Sequence, residues 1–370
     1  MQVEAAVVER RGAPYRIETL ELAEPGPDEL VVRVIATGIC QTDVHGRDEY
    51  YGTPFPCVFG HEGAGIVERV GGAVTNVAPG DHVIMYSPAC GSCPACASRL
   101  PGYCDSSRRI KMSGLLRSGA KPLRRDDGSE VHGAFFQQSS FATHSLCTAG
   151  NVVRVPKDVP FETLAAFPCG VNTGAGAVFN VLKPQANESF ALFGAGSVGL
   201  AGLMAARIAG CAPIVAVDLH PNRLALAREL GATHTIDARS EDPVEAIRRI
   251  TGGRGARHVL EAAGEPKALR LAIDATMVRG ACCLVGSARP KIEVPLEMAV
   301  LQWGRTVRGC IQGDAVGDEF IPRLIDYYRE GRMPVDRLVS TYPFAEINRA
   351  VEDSVAGRTI KAVLRIGAST

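Results

Sequence analysis

Apolar residues in the first third of the chain come in short runs rich in Val and Ile, broken by Gly and Pro. ELVVRVIATGIC (29–40), GAGIVERVG (63–71) and DHVIMYS (81–87) predict β-strands, with turns at EPGPDE and APGD. From about residue 188 the pattern changes. SFALFG (189–194), IVAVD (214–218), THTID (233–237), HVLEAAG (258–264), ACCLVG (281–286) and TVRGCIQG (306–313) read as strands. Helical patterns such as VGLAGLMAARIAG and NRLALARELG lie between most of them. This alternation predicts an α/β chain with a parallel, doubly wound sheet, and six strands fit two mononucleotide-binding halves. Beyond residue 313, FIPRLIDYYREG and INRAVEDSVAG predict amphipathic helices, and IKAVLRI a last strand. The polar stretch 105–132 shows no period and predicts a solvated surface loop, its basic residues offset by Asp126, Asp127 and Glu130.

Length and charge narrow the class. A chain of 370 residues suggests about two domains. Forty basic residues balance forty acidic ones, which argues against a nucleic-acid or anionic-membrane surface. No apolar run reaches 18 residues, so no membrane span is expected, and MQVEAAVVERRG does not read as a secretory signal. These features predict a cytoplasmic location. Twelve cysteines then call for explanation, as metal ligands or buried small hydrophobes rather than disulfides.

Three constellations carry candidate chemistry. Gly194, Ala195, Gly196, Ser197, Val198 and Gly199 form G-x-G-x-x-G between a predicted strand and a predicted helix. The glycines allow a tight turn, close backbone approach to a pyrophosphate, and close helix packing. Asp218 ends the next strand, where a carboxylate accepts from ribose hydroxyls and repels a 2′-phosphate, so NAD is expected; the bland alternative is a helix cap. Arg223 is expected over the ribose edge or adenine. Cys90, Cys93, Cys96 and Cys104 read as C-x2-C-x2-C-x7-C, four sulfurs for a structural zinc. An iron–sulfur cluster is the rival, but its bacterial run has x3 and then C-P where this chain has x7 and Asp. Finally, Cys40, His61 and Cys169 each sit in a short polar or Gly-rich motif, CQTDVH, GHEGAG and PCG.

Together these motifs resemble the zinc-dependent medium-chain alcohol dehydrogenase family, over essentially the whole chain. G-H-E-x2-G-x5-G-x2-V at 60–74, the four-cysteine cluster and the G-x-G-x-x-G with its Asp carry the resemblance. GAFFQQSSFATHS, CGVNTGAGAVFNVLKP and LGATHTID look most like the aryl and allylic branch, the benzyl alcohol and geraniol types. The resemblance implies a β-rich, GroES-like catalytic domain over 1–170 and 313–370 beside a nucleotide-binding Rossmann domain over 171–312, two zinc ions per chain and NAD. It implies that Cys40, His61 and Cys169 hold a catalytic zinc; alcohol dehydrogenase is the general example of a Cys2His catalytic site. The zinc-bound alkoxide then gives hydride to the nicotinamide, reversibly.

Thr42 would accept the alcohol proton and His45 pass it on through the cofactor ribose. Asp43 would fix the His61 tautomer. Glu62 would stand behind the zinc, and Lys361 would reach the pyrophosphate. Tyr86 is the expected aromatic pocket wall, with Phe135, Phe136, Phe141 and Trp303 as further apolar candidates. The expected substrate is a small apolar primary alcohol or its aldehyde. Glutathione-dependent formaldehyde oxidation, with Arg108 facing an anionic adduct, is an alternative, as is a non-catalytic NADH-reading regulator. A homo-oligomer is expected, a dimer joined near 306–312 before a tetramer. The remaining six cysteines read as small hydrophobes.

Overall fold

A computed structural model describes residues 1–48 and 50–367. The chain divides into two compact units, one of Met1–Cys169, Val316–Arg323 and the chain from Val335 on, the other of Gly170–Ala315 and Leu324–Pro334.

The first unit is β-rich. Its larger sheet runs Val152–Arg154, His82–Met85, Gly63–Val70, Glu29–Gly38, Lys361–Arg365, Val339–Pro343, and His144–Thr148 also pairs with Glu29–Gly38. Glu29–Gly38 is long, and Val31, Val32 and Val34 on it are buried, as a central strand covered on both faces requires. The second sheet orders Cys57–Val58, Gln2–Val8, Arg16–Leu22, Leu123–Arg124, Glu130–Val131. One apolar core, including Val7, Leu30, Phe59, Phe135, Phe141 and Leu364, fills this unit. The strand of residues 361–365 places Lys361 in the same sheet as the strand that leads into Cys40.

The second unit holds six strands, all parallel. Their order is His234–Asp237, Ile214–Asp218, Phe190–Phe193, Ala256–Glu261, Thr276–Leu284, Thr306–Gly309. In sequence terms that is 3-2-1-4-5-6, the doubly wound order, which puts a ligand crevice at the carboxyl ends of Phe190–Phe193 and Ala256–Glu261, where the order reverses. Each strand expected from the alternating pattern is present. Helix Ser197–Ile208 follows the first of them and buries Leu200, Leu203, Met204 and three alanines. Its small residues let it pack close to the sheet.

The stretch 105–132 differs from the expected loop. It contains helix Ser107–Met112 and two short strands, Leu123–Arg124 and Glu130–Val131, that extend the second sheet. Leu123 and Val131 are buried, and Arg125 bridges Glu9 and Glu18. Two apolar anchors among so many charges were too sparse to show a period. Among the described residues no helix is long and apolar enough to cross a membrane.

Candidate active site

Cys40 ends the approach to helix Gln41–Arg47 as its N-cap, in extended backbone. Asp43, three residues on, turns its carboxylate back and accepts from the Cys40 N–H at 3.0 Å through Oδ2. Its other oxygen accepts from the Gly60 N–H at 3.1 Å and lies 2.8 Å from Nδ1 of His61. One fully buried carboxylate thus ties the Cys40 turn to the His61 turn, and it leaves Nε2 as the imidazole's free lone pair. That Nε2 is buried and has no hydrogen-bond partner. Cys169 arrives on a π-helical turn, Phe167–Val171, the kind of widened turn that often marks functional sites.

Ligand atoms of Cys40, His61, Glu62 and Cys169 all lie within 4.8 Å of one another. The Cys40 and Cys169 sulfurs are 3.9 Å apart. Two sulfurs at about 2.3 Å on a tetrahedral ion stand about 3.8 Å apart, so the pair has the right spread for zinc. Contact with the Cys169 thiol and with His61 holds the Cys40 thiol well below its usual range, against burial. Cys169 is correspondingly raised, by Cys40 and by burial. Two thiols in contact, one of them held well below its usual range, beside an orphaned imidazole nitrogen, are a donor set that suits a dication.

Glu62 is fully buried, and Lys361 stands behind it, with Nζ 2.6 Å from Oε2 and 2.9 Å from Oε1. The same ammonium donates to the Ile39 carbonyl at 3.2 Å. Burial works against the charged lysine, but Glu62 holds its pKa above the usual value. In this structure, then, the lysine expected at the pyrophosphate is engaged by the glutamate of the metal cluster.

Thr42 and His45 share helix Gln41–Arg47 at i, i+3 spacing and so lie on one face. The His45 ring packs on Tyr50 at 4.4 Å, and its Nδ1 is 3.3 Å from the Tyr51 hydroxyl. Phe136 stacks on His61, ring centres 4.6 Å apart. Phe136, Gln137 and Ser139 all have positive φ, at 51°, 53° and 46°, which is strained for such residues. Hydrogen bonds over-determine the segment. Gln138 Nε2 donates to the His61 carbonyl at 3.0 Å, and its Oε1 accepts from Gly63 N–H at 3.2 Å. Ser139 Oγ donates to the Val58 carbonyl at 2.6 Å. Gln138 was not expected at the site; its only sequence signal was a neighbouring pair of Phe and a pair of Gln. Phe135 and Phe141 are core residues and Trp303 is 64% exposed. Tyr86 is buried against the bare face of Gly317 and lines a groove of about 480 Å³ with Cys90, Cys96 and Arg99.

The four-cysteine loop is also drawn together, its four sulfurs within 4.8 Å of one another. Cys93 N–H points to Cys90 Sγ at 3.4 Å and Cys90 N–H to Cys104 Sγ at 3.3 Å. The backbone N–H groups of Ser92 and Cys93 bring the Cys90 thiol down to about 6. N–H donors aimed at sulfur stabilise thiolates, which is the form that binds metal. The other six cysteines are buried and free; burial raises Cys147, Cys211 and Cys282 to about 12.

In the second unit, Gly194 takes φ +93°, and a Cβ there would meet the Ala263 N–H at 2.7 Å. A Cβ on Gly199 would meet the Gly194 carbonyl at 2.0 Å, whereas one on Gly196 would meet nothing within 4 Å. The middle glycine therefore leaves an open cradle at the start of helix Ser197–Ile208, where free N–H groups suit a pyrophosphate. A groove of about 540 Å³ leads away from it, lined by Gly194, Gly196, Asp218, Arg223, Pro243 and Leu271 among others. Asp218 accepts from the N–H groups of Ala195 (2.6 Å), Leu219 (2.8 Å) and His220 (2.9 Å), and lies 3.8 Å from Arg223. It ties the glycine loop to the second strand instead of capping the helix, and a carboxylate keeps acceptor capacity beyond three bonds.

Residues 26–157 match the alcohol dehydrogenase GroES-like domain, and residues 197–328 match the zinc-binding dehydrogenase family. Geraniol dehydrogenase of Castellaniella defragrans is 38% identical over 366 residues, 98% of each chain. The chain belongs to the zinc-dependent alcohol dehydrogenase family. Among solved structures, an alcohol dehydrogenase zinc-binding domain protein from Burkholderia ambifaria is 46% identical, with TM-score 0.97 over 100% of both chains. Benzyl alcohol dehydrogenase from Acinetobacter calcoaceticus is 40% identical, with TM-score 0.95 over 99% of this chain and 100% of that one. As a member of this family the protein is an oxidoreductase that uses zinc and NAD, and both donor sets described above fit those groups.

Proposed function

We propose that this enzyme oxidises aromatic or allylic primary alcohols to aldehydes with NAD, and reduces the aldehydes in reverse. The observation that carries the reading is near full-length likeness to both a geraniol and a benzyl alcohol dehydrogenase. Cys40, His61 and Cys169 would hold the catalytic zinc, with Glu62 beside it, and Cys90, Cys93, Cys96 and Cys104 the structural one. When bound, zinc lowers the pKa of the alcohol as a Lewis acid and NAD takes up the hydride.

The chain's own residues prepare and clear the site. Asp43 keeps His61 in the tautomer whose Nε2 faces the metal. Thr42 accepts the substrate hydroxyl proton, and His45 on the same helix face passes it on. Phe136, fixed over His61, gives the site an aromatic surface for an apolar substrate, and Tyr86 is proposed as a further wall. Gly194, Gly196, Ser197, Val198 and Gly199 seat the pyrophosphate. Asp218 selects NAD over NADP, and Arg223 lies beside it. Lys361, expected at the cofactor's phosphates, instead supports Glu62.

A second copy of the chain is the proposed partner. Thr306–Gly309 is an edge strand with every residue exposed, and Val307, Met298, Leu301, Trp303 and Ile311 are exposed apolar residues. Edge pairing would give a dimer. Six cysteines assigned to metal and six buried ones suit a reducing, cytoplasmic setting. NADH formation across benzyl alcohol, geraniol, ethanol and S-hydroxymethylglutathione, with NAD and NADP in parallel, tests the reading. Preference for the first two with NAD is expected; preference for the glutathione adduct overturns it.

A further inference from the structure

Helix Ser107–Met112 carries a charge where charges are rarely found. Lys111 is 4% exposed, and among the described residues its ammonium has no ion-pair or hydrogen-bond partner. Burying an ammonium without a partner is strongly unfavourable, so folds rarely keep one without a use. Burial brings its pKa down to about 8, and the charges that act on it belong to Cys104, Cys169 and Cys96, thiols of the two metal sites.

Its position is fixed from both sides. Nζ lies 5.8 Å from the centre of the Phe136 ring, and the same ring stacks on His61. Gln137, the next residue, donates to the Ile110 carbonyl at 3.1 Å and to the Leu115 carbonyl at 2.7 Å. The strained segment that holds Phe136 therefore also holds the helix of Lys111. The ammonium and the His61 imidazole both lie against the Phe136 ring. The other cations of this helix are placed elsewhere: the Arg108 guanidinium lies 3.5 Å from the Tyr51 carbonyl, and Arg109 lines a separate groove with Cys90 and Leu116.

We propose that Lys111 is a specificity-determining residue that receives an anionic group, a carboxylate or phenolate, at the far end of the alcohol substrate. The proposal rests on the reading of the enzyme as an aryl or allylic primary alcohol dehydrogenase. A charge-assisted hydrogen bond to such a group would give the buried ammonium its missing partner and would make the substituted alcohol the better substrate.

Steady-state kinetics of the zinc- and NAD-loaded enzyme test it, with benzyl alcohol and 4-(hydroxymethyl)benzoate as the two probes. The wild-type KM for the carboxylate-bearing alcohol is expected to be lower by about tenfold or more. Lys111→Met should collapse that ratio chiefly through KM, and Lys111→Arg should restore most of it. The melting temperature of Lys111→Met should hold or rise, because a buried charge is removed. A wild type that oxidises benzyl alcohol without favouring the carboxylate overturns the Lys111 assignment alone. So does a Lys111→Met variant that melts lower and loses both substrates in equal proportion. A wild type inactive on both alcohols overturns the parent reading together with this one.

Discussion

Asp43 Oδ1 lies 2.8 Å from Nδ1 of His61, and the same carboxylate accepts from the backbone N–H groups of Cys40 and Gly60. Two metal-ligand turns from different parts of the sequence are thus held by one buried side chain. Asp43→Asn keeps the volume but offers a single acceptor oxygen and turns an NH2 toward a donor. Zinc affinity at the catalytic site is expected to fall by about 10–100-fold, with turnover falling alongside. Competition with a chelator, reading zinc loss against loss of activity, measures it; an unchanged affinity would leave Asp43 with a purely structural role.

How much of this was legible in the sequence depends on distance along the chain. G-x-G-x-x-G with Asp218, and the four clustered cysteines, are local patterns, and their spacing carries the chemistry. The six parallel strands were legible because strand and helix periods alternate. Lys361 was not: its partner Glu62 lies 299 residues away, and nothing in a strand reading IKAVLRI reports which carboxylate will meet it. Phe136 on His61 was equally hidden, because it depends on positive φ at Phe136, Gln137 and Ser139, held in place by the hydrogen bonds of Gln138 and Ser139. Helix Ser107–Met112 was obscured by the charges that flank it, and Lys111 among them looked like one more solvated cation.

Lys361 and Glu62 form an ion pair with 2% and 0% side-chain exposure. Removing one partner leaves the other charge buried and unpaired. Lys361→Met is expected to destabilise the protein by about 3–5 kcal/mol. Adding Glu62→Gln should recover a large part of that loss, since a neutral amide is far less costly to bury. Urea denaturation of the three proteins tests the coupling. Additive losses in the double variant would show that the two side chains act independently.

Asp218 answers to two demands, the glycine loop through the Ala195 N–H and the ribose of NAD. Asp218→Asn retains an acceptor for the loop and removes the charge that repels a 2′-phosphate. The ratio of kcat/KM for NADP over NAD is expected to rise by on the order of tenfold. An unchanged ratio would take cofactor selection away from this carboxylate.

The central claim is that Cys40, His61 and Cys169 hold a catalytic zinc separate from the four-cysteine site, and Cys169→Ser tests it most directly. Metal content and NADH formation from benzyl alcohol are measured on the same preparation, with circular dichroism confirming the fold. About two zinc ions per wild-type chain are predicted, falling to about one in the variant, with turnover lost and the spectrum retained. Two zinc ions in Cys169→Ser, or wild-type rates without the second ion, would contradict the account.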